Sequence, residues 1–221
     1  MRRALLGVAL GLAACGGSSS PVPKSAANDT PPALRSIARL RGTVIVHPDS
    51  TLTFAACGTT TERPVVAPPS SQLTLAITAV NGALRDSIFA DFTADTSAQR
   101  VQVRDTHFAS MFGEGSPCDR PSMRFDWEAL GNEPFWHVTI DGTQVVLERP
   151  EPPRELVFDA EPTMRSGNLT TIIAHRTLGK VHDLKLDILR EPCRDGMSDN
   201  WYPFRAELRV GDLALHGCAR Q

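Results

Sequence analysis

The chain has 221 residues, a formal net charge of −2 and five cysteines. Its arginines are interspersed with acidic residues throughout, which excludes the basic stripe that a nucleic-acid-binding protein needs. No apolar run reaches the roughly 20 residues of a spanning helix, so we expect no part of the mature chain to cross a bilayer.

The first residues have the parts of a signal peptide. Arginines at positions 2 and 3 precede the short apolar stretch 4–12, and the segment closes on Leu-Ala-Ala followed by Cys15. This ending resembles the bacterial lipobox, in which the cysteine thiol is alkylated with diacylglycerol before cleavage. The resemblance implies that residues 1–14 are removed and that Cys15 carries a lipid anchor to the membrane. The alternative is an ordinary secretory signal that happens to end beside a cysteine.

Residues 15–34 are interpreted as the lipidated cysteine and a flexible tether, because small and polar residues and proline dominate them. Gly16, rather than an aspartate, follows the lipidated position. By resemblance to enteric lipoproteins this implies sorting to the outer membrane. We therefore expect the protein on the periplasmic face of the outer membrane, with the inner membrane as the alternative.

The four remaining cysteines predict two disulfides, since an even number in an oxidising compartment favours bridges, and four cysteines permit three pairings. The preferred pairing joins residues 57 with 118 and 193 with 218, because each bridge then stays inside one predicted domain. A metal site is the alternative, but no Cys-x-x-Cys occurs, so we expect neither a metal nor another cofactor. The cysteines concerned are Cys57, Cys118, Cys193 and Cys218.

Residues 35–121 are predicted to form a small OB-like β-barrel domain with one short helix. The extended segments 42–46 and 51–55 flank a turn at 47–50 and should pair as a hairpin.

The rest of this domain is predicted to contain the helix and two more strands. Apolar residues at helical spacing from Leu73 to Val80 predict the helix, which stops at Asn81-Gly82. The segments 88–92 and 100–104 return to period two, which is typical of strands.

A few residues of this domain carry a resemblance. They are Gly42, Val44, Phe54, Cys57 and Gly58. Their pattern resembles the small barrel domain of copper-homeostasis and surface-sensing outer-membrane lipoproteins. This chain lacks the amino-terminal Cys-x-x-Cys domain of that family, so the resemblance implies the barrel without a copper site.

Residues 122–221 are predicted to form an antiparallel β meander closed into a barrel, with a β-sandwich as the alternative. The fold class is therefore mainly β, with two small antiparallel barrel-like domains. The predicted strands are 123–127, 134–140, 144–148, 155–159, 169–175, 181–189, 203–210 and 213–217, separated by short turns.

Four segments of this domain carry a second resemblance: 131–136 (Gly-Asn-Glu-Pro-Phe-Trp), 193–199 (Cys-Arg-Asp-Gly-Met-Ser-Asp), 202–203 and 217–219. Together they resemble a family of bacterial envelope lipoproteins whose carboxy-terminal pattern is similar to META-type domains. Some members join this domain to a membrane-bound inhibitor of c-type lysozyme. The family has no established catalytic residues, so the resemblance assigns none to this chain.

Two pairs of residues suggest metal ligands but have simpler interpretations. His175 and His182 fall on adjacent predicted strands, where they could share a metal, although no third ligand is apparent and two solvated surface histidines are the simpler interpretation. Asp195 and Asp199 could bind calcium, yet an Asp-Gly sequence beside a disulfide is more simply a tight turn.

A binding rim is predicted at one end of the second barrel. Glu133 and Trp136 begin one strand, while Asp195, Asp199 and Tyr202 follow Cys193, and barrel closure could bring both groups together. Aromatic and carboxylate groups on one rim suit a sugar or a cationic protein surface. The alternative is structural: the carboxylates accept turn hydrogen bonds and the aromatic rings fill the barrel end.

The function expected from these features is that of a cell-envelope lipoprotein, a non-enzymatic binding or interaction module. Its partners would be the membrane, through the lipid, and an envelope protein or cell-wall component, but no nucleic acid. One alternative is an inhibitor of lysozyme-type enzymes. Another is a cell-wall hydrolase that uses Glu133 with an aspartate.

Overall fold

The computed structural model describes residues 36–81, 87–97, 99–111, 117–119, 125–176 and 183–221, which belong to one compact unit. These residues are mainly β, as predicted, and form two sheets with one α-helix among the residues described. That helix has nine residues, and no helix in the described ranges is long and apolar enough to span a bilayer.

The first barrel has five strands, and one connection between them contains a helix. Its elements are β1 (Ser36–Val46), β2 (Leu52–Ala56), β3 (Glu62–Val66), α1 (Leu73–Asn81), β4 (Ile88–Thr96) and β5 (Val101–Ser110). The strand order β1-β2-β3-β5-β4 closes through the β4–β1 pairing, with β3 and β5 parallel and the other pairs antiparallel. This is the closed Greek-key order of an OB-fold, with the helix between β3 and β4.

The predicted hairpin and helix of this barrel are both confirmed. Val44 of β1 lies opposite Phe54 of β2, and both side chains are completely buried. Helix α1 buries Leu73 and Ile77 against the same core. The sequence missed β3, because this short strand exposes alternate residues and contains Pro64, so it lacks the apolar alternation of a strand.

The second barrel is an eight-stranded antiparallel meander. The remaining strands are β6 (Trp127–Asn132), β7 (Phe135–Asp141), β8 (Gln144–Glu148), β9 (Glu155–Ala160), β10 (Met164–Ser166), β11 (Leu169–His175), β12 (Leu184–Leu189), β13 (Cys193–Arg194), β14 (Trp201–Tyr202), β15 (Phe204–Val210) and β16 (Leu213–Arg220). All of them except β10, β13 and β14 form the barrel. Pairing of β9 with β11 and of β16 with β6 closes the sheet, so the sandwich alternative is wrong. Strand β10 pairs only at the edge of β11.

One predicted strand of this barrel is misplaced. The sequence predicts a strand at 123–127, whereas β6 runs from Trp127 to Asn132, and residues 121–124 lie outside the described ranges. In β6, Trp127, Ala129 and Gly131 face the barrel interior. The sequence pattern placed Gly131 in a turn, so the alternation beyond Trp127 was not recognised as a strand. The predicted strand 181–189 starts at Leu184 in the described part of the chain.

The hairpin β13–β14 departs from the barrel formed by its neighbours in sequence. It joins the sheet of the first barrel, where Trp201 pairs with Ala109 of β5. The Trp201 side chain is buried in the core of the first barrel. The predicted boundary near residue 121 therefore separates the strands of the two barrels, but this hairpin crosses it.

Both predicted disulfides are confirmed. Cys57 bonds to Cys118, and Cys193 bonds to Cys218, with Cα atoms 5.5 Å apart in each case. By the loop-entropy estimate each bridge contributes roughly 3–4 kcal/mol. The second bridge links β13 to β16, so it ties the crossing hairpin to the second barrel.

Candidate functional site

The structure brings together two of the five predicted rim residues. Glu133 and Asp195 line a cleft of about 440 Å³ at the surface of the second barrel. Its walls are the β6–β7 turn, the turn between β13 and β14, and parts of β15 and β16. The polar side chains lining it are Asn132, Glu133, Arg194, Asp195, Arg205 and His216.

Asp195 organises one wall of the cleft. One carboxylate oxygen accepts the Met197 N–H at 3.1 Å, and the other accepts the Ser198 hydroxyl. The Asp195 carbonyl accepts the Asp199 N–H at 2.9 Å, which completes a tight turn. The turn interpretation of Asp195 and Asp199 is therefore borne out by the geometry.

Asp195 also links this turn to the opposite wall. The Asn132 side-chain amide donates to its carboxylate, and Cys193, two residues before Asp195, is disulfide-bonded to Cys218 of β16. A covalent bond and a nearly buried carboxylate thus hold the walls in place before any ligand arrives. Such preorganisation reduces the ordering cost of binding.

The cleft also carries guanidinium groups that are held only by surface ion pairs. Arg194 contacts Asp199 at 2.8 Å, while Arg205 lies 3.3 Å from Glu191 and 3.6 Å from Glu207. All these side chains are about one third to two thirds exposed, and ion pairs of this kind are worth roughly 0–1 kcal/mol. Either arginine can therefore turn toward an incoming anionic group at little cost.

Met197 adds an apolar contact to this otherwise polar surface. Its side chain is 75% exposed on the turn that lines the cleft. A flexible thioether in this position adapts to irregular partner surfaces.

Trp136 does not line the cleft with Glu133 and Asp195, which differs from the sequence prediction. Its side chain is 1% exposed, and its indole N–H donates to the His216 carbonyl at 3.2 Å. A methyl group on Gly131 would overlap the indole, and one on Gly217 would overlap the Leu130 carbonyl. The two glycines therefore let strands β6 and β16 close around the Trp136 ring.

Tyr202 is also buried rather than at the rim, because it fills the space between the barrels. Its side chain is 4% exposed, and its ring packs edge-on against Phe108 with centroids 5.2 Å apart. Burial raises the pKa of its hydroxyl to about 12. The structural alternative thus explains both Trp136 and Tyr202.

Several residues of the cleft were missed from the sequence. Arg194 and Met197 lie inside the 193–199 segment that the sequence analysis singled out. No pattern in that segment indicated that their side chains face solvent. Arg205 and His216 are isolated polar residues of strands and give no sequence signal. Only barrel closure places them beside Glu133.

Two histidines outside the cleft, His137 and His175, each lie between two carboxylates. His175 lies between Asp183 at 2.7 Å and Glu161 at 2.9 Å, while His182 lies outside the described residues. His137 bridges Glu128 and Glu148 on neighbouring strands of the second barrel. Among the residues described, no group of three or more histidines, cysteines or carboxylates is arranged to hold a metal.

The predicted lipid site at Cys15 and the tether 15–34 also lie outside the described residues. Compared with known proteins, the chain matches no family model, no curated protein and no solved structure.

Proposed function

We propose that this protein is a lipid-anchored module of the bacterial envelope that binds a partner through the cleft between the β6–β7 turn and the β13–β14 turn. The observation that carries the proposal is the preorganised cleft itself. Its walls are fixed by the Cys193–Cys218 bridge and by Asp195, while Glu133, Arg205 and Met197 remain available to a ligand.

The lining groups indicate the chemistry of the partner. Carboxylate and guanidinium groups lie in one cleft with an exposed thioether, so the surface suits a chain that carries both charges and short apolar groups. Stem peptides of the cell wall and loops of envelope proteins have this character. A lipid on Cys15, which we also propose, would keep the module near such partners.

Binding to isolated peptidoglycan and to envelope extracts, measured with the full lipoprotein, tests the proposal. We expect Glu133→Gln and Arg205→Gln each to weaken retention about tenfold, since each removes a charged contact from the ligand. Glu155→Gln is the matched control, because Glu155 is exposed at the start of β9 and lies away from the cleft. Equal retention of all three variants would refute the cleft as the binding site.

Two further assays distinguish the alternatives. Inhibition of c-type lysozyme that is lost with Glu133→Gln would make the protein a lysozyme inhibitor. Release of soluble wall fragments by the purified protein would make it a hydrolase. Either result would replace the proposed binding role, and melting temperatures of the variants show whether the fold is retained.

A further inference from the structure

A second cavity lies at the end of the eight-stranded barrel, apart from the cleft. It occupies about 290 Å³, where β7 and β16 begin and where β8 and β15 end. The apolar side chains that line it are Phe135, Trp136, Leu147, Val210, Leu213 and Leu215. Mouths of β-barrels with such linings are common small-molecule sites.

The cavity exists because the barrel wall is incomplete at this end. Strand β16 pairs with β6 only from Cys218 to Arg220, so its first five residues have no partner on β6. The Trp136 ring fills part of the resulting gap and forms the inner wall of the cavity.

Two large apolar side chains lie at the mouth of the cavity and are partly exposed to solvent. Phe135 and Leu213 are 49% and 46% exposed although they lie beside an apolar cavity. Their exposure carries a free-energy cost of about 25 cal/mol per Å² of apolar surface, which a bound apolar group would remove.

The rim carries one positive and one negative charge. Arg149 and Glu151 both line the cavity from the loop that follows β8. The Nε of Arg149 donates to the Pro153 carbonyl at 3.2 Å, which orients its side chain. Among the described residues neither takes part in an ion pair, so both charged groups can contact a ligand at the rim.

The geometry points to a binding site for a single-chain zwitterionic amphiphile, a lysophospholipid with an ethanolamine head group. Its alkyl chain occupies the cavity against Trp136, its phosphate lies at Arg149 and its ammonium lies at Glu151. The cavity has room for roughly ten groups the size of a water molecule or a methylene, so it admits part of one chain and excludes a second. This site is independent of the proposed function of the cleft.

Titration with dodecanoyl lysophosphatidylethanolamine below its micellar concentration tests the site. The protein is the full chain with Cys15→Ala, so that no detergent competes with the probe. We expect saturable binding that Leu213→Trp weakens at least about tenfold, because the indole closes the mouth. Val157→Trp is the matched control, since Val157 is a similarly exposed strand residue, 42% exposed, away from the cavity.

The head-group assignment is tested separately. Arg149→Gln and Glu151→Gln should each weaken binding of this probe, whereas Arg154→Gln in the same loop should not. A lysophospholipid with the same chain and a glycerol head group should bind the unchanged protein more weakly and should be insensitive to Glu151→Gln.

Three results would overturn the assignment: no saturable binding, equal binding by Leu213→Trp and Val157→Trp, or equal affinity for both head groups. If Leu213→Trp lowers the melting temperature, the site is tested by probe binding to Arg149→Gln, Glu151→Gln and Arg154→Gln alone. These three side chains lie on the surface, so we expect their substitution to leave the fold intact.

Discussion

At the scale of single residues, glycines and one tryptophan determine how the second barrel closes. The Trp136 indole lies against Gly131 and Gly217, which come from two strands far apart in sequence. The Gly-Asn-Glu-Pro-Phe-Trp segment and the Gly-Cys-Ala segment are therefore parts of one packing unit. Its role is structural, while Glu133 of the same segment reaches the cleft.

We expect Gly131→Ala to destabilise the protein by about 1–3 kcal/mol, because the added methyl group overlaps the Trp136 ring and the His216 carbonyl. Gly196→Ala is the control, since nothing lies within 4 Å of a methyl group at that position. Urea unfolding measures both. Equal midpoints for the two variants would show that the strands relax around the methyl group.

At the scale of elements, the hairpin β13–β14 connects the two barrels. Trp201 enters the core of the first barrel, while Cys193 is bonded to β16 of the second. The hairpin also supplies one wall of the cleft, so the geometry of the cleft depends on this connection.

Trp201→Ala should therefore cost about 3–5 kcal/mol of stability, as expected for loss of a fully buried aromatic ring. Trp201→Phe should cost less, because the Trp201 indole N–H is buried without a hydrogen-bond partner among the described residues. Denaturant unfolding of both variants checks this order. A phenylalanine variant as unstable as the alanine variant would contradict it.

Three neighbouring strands share a titrating group, His137. Hydrogen bonds from its ring to Glu128 and then to Glu148 raise the pKa of His137 above its ordinary value. Burial alone would raise the pKa of Glu128, but the bonds and charges of His137 and Arg220 outweigh it and lower that pKa to about 2. Protonated His137 and ionised Glu128 therefore stabilise the fold together.

The sign of the pH dependence follows from these shifts. The His137 contribution is fully present below the ordinary histidine pKa of about 6.5 and is lost as pH rises through the higher folded value. The Glu128 contribution is present above its ordinary pKa and is lost as pH falls toward about 2. Chemical unfolding across pH 5–9 should show that the free energy of unfolding of the unchanged protein declines above roughly pH 6.5, and that this decline is absent from His137→Gln. Parallel pH profiles for the unchanged protein and the variant would contradict this assignment.

At the scale of the whole molecule, the described unit carries two barrels, a preorganised cleft and an open barrel mouth. The lipobox at the amino-terminal segment predicts a lipid anchor on Cys15. We expect Cys15→Ala to move the protein from the membrane fraction to the soluble fraction, measured by fractionation and immunoblot. Retention in the membrane fraction would contradict lipid anchoring at Cys15.

Local patterns in the sequence were sufficient for most of the strands. Alternation of apolar residues predicted β8 and β11 with correct bounds. Turn residues such as Asp141-Gly142 marked the boundary between β7 and β8. The four cysteines that follow Cys15, and their spacing, predicted both disulfides. The strand bounds depend on near neighbours along the chain, and the preferred disulfide pairing depends on the predicted domain boundary, so the sequence by itself was enough to predict both.

Only the tertiary structure decided which side chains share a site. Trp201 follows the strands of the second barrel yet packs inside the first, and Arg205 and His216 reach Glu133 only after the barrel closes. Trp136 is buried because two distant glycines make room for it. Such placements depend on contacts between residues remote in sequence, and the periodicity of a single segment carries no information about them.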